Sequence, residues 1–259
     1  MKNSYILGAE LEFYISTQDG NFIADLSTGK YPQKRYQILP EYSAALEDFV
    51  ADLKDYSIVA EDGPGQFEVN FQPEQDAKKL AKAIEDFKSL AREKAESRGL
   101  LLHFTAKPFA EFPGNGLHIH YSSNLFDPYG LELNGGVMTP KVDPENDYIL
   151  WAIGGCLEKM ANDIGVFLPT EESKKRILPW LNAPTKICWG KNNRSVAIRI
   201  PDKKPKRLEH RVAGADADAG SVIAAVVAAC EYGIENMIEP PEAIFGNAWD
   251  EKYEIISLL

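Results

Sequence analysis

Residues 5–15 read YILGAELEFYI, and they alternate. Leu7, Ala9, Leu11 and Phe13 fall on one side of an extended chain; Gly8, Glu10, Glu12 and Tyr14 fall on the other. A strand with an apolar face and a carboxylate face suits a sheet packed on helices from one side only. Three further stretches repeat the device. Gln66, Glu68 and Asn70 stand opposite Phe67, Val69 and Phe71. His118 and His120 stand opposite Leu117, Ile119 and Tyr121. Arg207, Glu209 and Arg211 stand opposite Leu208. A spacing of two puts each set on one side of a pleated strand.

Outward from these strands, residues 41–55 predict a helix with Tyr42, Leu46, Phe49 and Leu53 on one stripe. Tyr56–Glu61 and Gln66–Phe71 read as strands joined by the turn Asp62-Gly63-Pro64-Gly65. Residues 75–98 give the clearest helix, with Leu80, Ile84, Phe87 and Ala91 as its apolar face and Gly99 at the C-terminal cap. Leu100–Ala106 and Leu117–Tyr121 read as strands, with His103 a core histidine. Asn146–Ile164 reads as a helix loosened by Gly154-Gly155, and residues 169–193 as a long loop. Ser195–Ile200 and Arg207–Arg211 read as strands, and Asp218 caps a buried helix from Ala219 to about Met237. Residues 19–40 and 122–145 are turn-rich. The expected fold is α+β, one domain over residues 1–259, with a largely antiparallel curved sheet and flanking helices.

The chain has 259 residues, 28 Lys plus Arg against 39 Asp plus Glu, and a formal charge of −11. With a pI near 5.0 it is a poor nucleic-acid binder, because phosphate backbones select basic surfaces. Three scattered cysteines without a CxxC favour neither a disulfide framework nor a thiolate zinc site. The longest apolar run, Val222–Cys230, is far short of a membrane span, and the N-terminus lacks a signal-peptide pattern. The expectation is a cytoplasmic protein with neither nucleic-acid nor membrane partners.

A solvated strand face usually mixes Lys, Thr, Ser and Gln. Glu-x-Glu, His-x-His and Arg-x-Glu-x-Arg instead suggest an oxygen-rich site for magnesium or manganese. Clustered carboxylates without a cation repel and hold protons more tightly. Arg176, Arg194, Arg199, Arg207 and Arg211 lie within 36 residues, and the arginine fork suits phosphate and carboxylate. No GxxxxGK[ST] loop is present, so a nucleotide would be held by arginines and metal. GADADAG at 214–220 reads as a helix cap rather than a calcium loop, and His210 as structural.

Eight pieces, in order, resemble the catalytic domain of glutamine synthetases: GAELEFY, EDGPGQFEVNF, LLHFTAKPF, GNGLHIHYS, PTEESKKR, NNRSVAIRIP, KRLEHRVAGADAD and GIENMIEPPE. They span residues 5–242, nearly the whole chain. The resemblance implies the fold shared by glutamine synthetases and guanidino kinases, and an ATP and two-metal site serving nitrogen metabolism. It implies Glu12, Glu61 and Glu68 as ligands of one Mg²⁺ or Mn²⁺ ion, and Glu10, His118 and Glu209 as ligands of the second. His120 would lie near the carboxylate substrate and the transferred phosphate. Ser122 would lie on the nucleotide side, with Arg194, Arg199 and Arg207 on the ATP phosphates. Gly114, Arg176 and Arg211 would hold the carboxylate substrate. Arg194, Arg199 and His120 would be catalytic, for activation of a carboxylate as an acyl phosphate that an amine then attacks.

The chain also departs from the family. The N-terminal domain, with its ammonium-binding aspartate, is missing, and the C-terminal helical part is shortened. Asn182 stands where the family has a glutamate that closes the site and accepts the ammonium proton, which an amide cannot do. Pro113 stands in a position usually held by asparagine. The expected function is therefore ATP-dependent carboxylate–amine ligation through an acyl phosphate, as gamma-glutamyl transfer to an amine other than ammonia or with a non-standard substrate. The alternatives are a nucleotide- and metal-binding regulatory relative, a subunit that needs a partner chain or a homo-oligomer, and a small-molecule kinase.

Overall fold

The computed structural model describes residues 4–29, 36–126 and 147–259. The elements in chain order are β1 (Tyr5–Thr17), β2 (Ala24–Asp25), β3 (Gln37–Ile38), α1 (Pro40–Asp52), β4 (Ser57–Ala60), β5 (Gln66–Asn70), α2 (Ala77–Glu96) and β6 (Leu100–His103). They continue as β7 (Leu117–Ser123), α3 (Asp147–Phe167), α4 (Glu171–Lys174), β8 (Trp189–Lys191), β9 (Ile198–Ile200), β10 (Leu208–His210) and α5 (Ala219–Asn236). The main sheet runs β4-β5-β1-β7-β10-β9-β8, with β6 paired to the end of β1. Every pairing in it is antiparallel except β8 with β9, so the sheet is mixed and the fold is α+β.

One face of the sheet carries the core. Leu7, Leu11, Phe13, Val69, Leu117, Ile119, Tyr121 and Leu208 are fully buried there beside Leu80, Ile84, Phe87 and Ala91 of α2 and Val222 and Ile223 of α5. The ring of Phe13 meets those of Phe67, Phe87 and Phe104 at 5.5–6.0 Å, tilted or offset as aromatic quadrupoles prefer. The alternation read in residues 5–15 therefore decides which face the helices cover.

Helix ends follow local chemistry. The Asp76 side chain accepts from the N–H of Lys78 at 2.9 Å, and α2 gives way to Gly99 with φ 69°. Asp218 accepts from the N–H of Ser221 at 2.8 Å and starts α5. Gly154-Gly155 does not loosen α3 as expected; it permits a close contact between α3 and α5. A Cβ on Gly155 would stand 2.2 Å from the carbonyl oxygen of Ala229 and 2.6 Å from Cα of Gly233, so α3 and α5 touch backbone to backbone.

Other expectations shift in detail. Residues 169–193 are not all loop: they contain α4 and β8, the latter paired parallel to β9 beyond the reach of any alternating pattern. The strands expected at 100–106, 195–200 and 207–211 shorten to β6, β9 and β10, because the residues flanking them leave the ladder for loops. His103 is half-buried rather than a core residue, and its Nε2 lies 2.8 Å from Oγ of Ser16. Cys156 and Cys230, distant in sequence, meet across α3 and α5 with sulfurs 3.5 Å apart. Of the turn-rich stretch expected at 122–145, residues 127–145 lie outside the described residues, as does part of 19–40. Among the described residues no helix is long and apolar enough to cross a membrane.

Candidate functional site

The other face of the sheet collects the charged residues, and strand register decides how. Arg199 pairs with Glu209, Glu209 with His120, and His120 with Gly8. One row along, His118 pairs with Glu10, and Glu10 with Asn70. In the next row Glu12 pairs with Glu68. Neighbouring strands lie about 4.8 Å apart, so each row brings same-face side chains into contact.

The contacts are direct. Nδ1 of His118 lies 3.4 Å from Glu10 and 3.6 Å from Glu209, and Nε2 of His120 lies 2.9 Å from Glu10. Arg199 donates to Glu209 at 2.9 Å and to Oδ1 of Asn192 at 2.6 Å. Arg211 pairs with the other oxygen of Glu209. Nε of Arg207 donates to Nδ1 of His120 at 3.2 Å. Arg176 donates to the carbonyls of Arg211 and Val212 at 3.2 and 3.1 Å, and its Nη2 reaches Nε2 of His118 at 3.4 Å. Glu12 accepts from the N–H of Gly116 at 2.6 Å.

Burial and neighbours set the protonation of the cluster. Burial, then the charge of Glu61, pushes the Glu12 carboxyl up to about 7. Burial, then Glu10, Glu12 and Glu61, pushes Glu68 up to about 9, although Asn70 donates to it at 2.9 Å. Burial also acts upward on Glu209, but Arg211 and His118 outweigh it and hold the group at about 2. Glu10 is likewise held below the usual range: hydrogen bonds with His118 and His120 overcome its burial. Burial and the adjacent Arg211 lower His118 to about 4, so at neutral pH its ring is uncharged and able to ligate.

Two donor sets fit a divalent ion: Glu10, Glu68 and His118, and Glu10, His120 and Glu209. Within each set the ligand atoms lie within 4.8 Å of one another. Donors about 2.1 Å from a common ion need only small side-chain adjustments from that arrangement. The oxygen-rich composition suits magnesium or manganese. The sets partition the residues differently from the resemblance: Glu10 is common to both, and His120 enters the second. Glu12 and Glu61 act on the cluster as charges, with Glu61 just beyond β4, where its N–H donates to the Gln66 carbonyl at 2.8 Å.

The remaining expected residues divide. Arg176 and Arg211 are buried beside the cluster, and each keeps a buried Nε without a hydrogen-bond partner among the described residues, as does Arg199. Unsatisfied buried donors are costly and suit an incoming anion. Gly114 packs against Arg176, leaving no room for a side chain: a Cβ would stand 2.7 Å from Cγ of the arginine. Ser122 lies further along β7 and donates to the Lys206 carbonyl at 2.8 Å. Arg194 is exposed between β8 and β9 and is not brought into the cluster. Of the other loop acids, Glu171 and Glu172 pair outward with Lys174 and Lys175. Pro113 accepts from the Tyr14 hydroxyl at 3.0 Å, an interaction that uses its carbonyl alone.

Sequence reading missed three contributors. Asn115 is fully buried and donates to the carbonyls of His103 and Thr105 at 2.9 and 3.0 Å, bracing the loop before β7. Asn192 buttresses Arg199. Asp62 accepts from Nδ2 of Asn182 at 2.7 Å. All three lie in loops, where strand periodicity gives no signal.

Comparison with known proteins gives the family and the fold. The family described as glutamine synthetase, catalytic domain, matches residues 2–257. The gamma-glutamylputrescine synthetase PuuA of Escherichia coli K12 is 33% identical over 198 residues, covering 75% of this chain and 40% of that protein. The glutamine synthetase of Pyrococcus woesei is 31% identical over 258 residues, covering 96% of this chain and 56% of that protein. This chain thus spans about half the length of these curated relatives. A structure of GmaS in complex with ADP superposes with a TM-score of 0.78 at 26% identity, covering 99% of this chain and 61% of that one. The chain belongs to the glutamine synthetase catalytic-domain family.

Proposed function

We propose that this chain carries out ATP- and divalent-cation-dependent ligation of a glutamate-type carboxylate to an amine other than ammonia. The supporting observation is one sheet face on which two overlapping Glu–His donor sets adjoin arginines that each keep a buried Nε without a hydrogen-bond partner among the described residues. The similarity to a gamma-glutamylputrescine synthetase and to GmaS supports the same reading. Bound Mg²⁺ or Mn²⁺ would supply Lewis-acid neutralisation of the phosphates. Glu10, Glu12, Glu61, Glu68, His118 and Glu209 would hold the ions. Arg199 and Arg207 would clamp the ATP phosphates, with Arg194 swinging in from solvent, so that charge spread over the transferred phosphoryl group meets fixed cations. Arg176 and Arg211 would fix the carboxylate, and His120 would stand between it and the phosphate. The amine then displaces phosphate from the activated carboxyl.

The test is ATP turnover with Mg²⁺ or Mn²⁺, glutamate and hydroxylamine, which reports the activated carboxyl as hydroxamate. Hydroxamate that requires ATP, metal and carboxylate is expected, and its absence with every carboxylate tried would overturn the reading. Arg207→Ala removes charge-assisted bonds worth about 1.5–3 kcal/mol, so ATP affinity should fall roughly ten-fold or more by calorimetry. Unchanged affinity would remove Arg207 from the nucleotide site.

A further inference from the structure

An amine ligase must hold a cation beside its activated carboxyl, because alkylamines are protonated at neutral pH. The described site has a place for one. Asp62 follows Glu61 at the start of the β4–β5 turn, and that turn is rigid. The N–H of Gly63 donates to Oε1 of Gln66 at 3.0 Å, and Gln66 returns its own N–H to the Gly63 carbonyl at 3.0 Å. A Cβ at Gly63 would fall 1.9 Å from the Tyr14 hydroxyl, so the chain passes there only as glycine.

Asp62 is aimed from the opposite side. Asn182, with φ 60°, donates its Nδ2 to Oδ2 of Asp62 at 2.7 Å, and its carbonyl accepts from Nη2 of Arg211 at 3.3 Å. Arg211 is 2% exposed, pairs with Glu209 and keeps a buried Nε without a partner, a donor suited to a carboxylate ligand. One arginine therefore spans the carboxylate side of the site and the residue that holds Asp62. Asp62 itself has no cationic partner among the described residues, whereas Glu171 and Glu172 are committed to lysines at 2.5 and 2.7 Å. Two residues from Asn182, Trp180 is 58% exposed and lies against Trp249 at 5.4 Å, an apolar surface on the same loop as Asn182.

We propose that Asp62 is the anionic receptor for the ammonium group of a primary alkylamine substrate, and that Asn182 is its positioning residue. This rests on the ligase reading above. Asn182→Glu would set two carboxylates against each other and break the hydrogen bond, weakening amine use.

The experiment compares two nucleophiles on the purified chain with ATP, Mg²⁺ and the same carboxylate. Methylamine and ethylamine arrive as cations; hydroxylamine arrives neutral at neutral pH. Asp62→Asn should raise KM for the alkylamines roughly ten-fold or more, the loss of one charge-assisted contact, while hydroxamate formation stays within about two-fold. Asn182→Ala should shift alkylamine KM in the same direction but less, without touching the turn. It carries the test if Asp62→Asn does not fold. Equal losses with both nucleophiles would show a merely structural role, and unchanged alkylamine KM would overturn the assignment. No hydroxamate from the unaltered chain would instead sink the ligase reading itself.

Discussion

Glu209 offers the sharpest test of how the site is held. Its side chain is fully buried, with Arg199 at 2.9 Å on one oxygen and Arg211 on the other. The group sits at about 2 against an ordinary 4.5, a difference near 2.5 units. At about 1.4 kcal/mol per unit this corresponds to roughly 3–4 kcal/mol of stability. The sign follows from the depression: the contribution is complete above pH 4.5 and is lost as pH falls through the folded value. Removing one partner of a buried ion pair is independently known to cost about 3–5 kcal/mol, because the remaining charge is stranded. Both routes therefore predict that Glu209→Gln, which keeps the volume, destabilises the metal-free chain by about 3 kcal/mol. Urea unfolding at pH 7 with a chelator present measures it, provided the slope is unchanged. Adding Arg211→Met should recover part of the loss, since it removes the stranded cation, and the two effects should be strongly non-additive. A loss below about 1 kcal/mol for Glu209→Gln, or simple additivity, would refute the reasoning.

Two further outcomes follow from the same structure. Glu12 and Glu68 hold protons up to about 7 and 9, so the folded chain keeps protons that the unfolded chain has released above pH 4.5; metal-free stability should fall as pH rises towards 9. Magnesium displaces those protons, so its thermal stabilisation should grow from pH 6 to pH 9, with proton release visible as buffer-dependent binding heat; a flat profile would contradict the raised carboxyls. Gly155→Val should destabilise by about 1–3 kcal/mol despite a better helix former, because its Cβ meets the Ala229 backbone at 2.2 Å; a neutral melting temperature would show that α3 and α5 can part.

What the sequence reveals is limited by what repeats at a fixed spacing. Glu10, Glu12, Glu68, His118, His120 and Glu209 were legible because a period of two marks a shared strand face, and antiparallel register then stacks those faces into rows. The long stripe of α2 and the Asp218 cap of α5 were legible for similar local reasons. Gly154-Gly155 was misread because a glycine pair signals looseness in an isolated helix and close contact in a packed one; only the partner, Gly233, decides. β8 is three residues long and owes its place to pairing with β9, so no pattern announces it. Asp62, Asn115 and Asn192 act from loops, where the partner is fixed by tertiary structure alone.

The two halves of the charged face differ in how they are balanced, and that difference carries the functional argument. Glu209 is answered by two arginines and Glu10 by two histidines, so both remain ionised within the protein's own resources. Burial makes both Glu12 and Glu68 hold their protons more tightly than usual, helped by Glu61 at Glu12, which Arg176 and Arg211 only partly offset, and by Glu10, Glu12 and Glu61 at Glu68. A fold stabilised by its own contacts alone would gain from replacing these two with glutamine. Retaining the acids makes sense where a divalent cation takes the protons' place, beside arginines whose buried donors await an anion. The imbalance thus points to a site completed by ligands of both signs, a cation on the glutamates and anions on the arginines, as joint binding of metal, nucleotide and carboxylate requires.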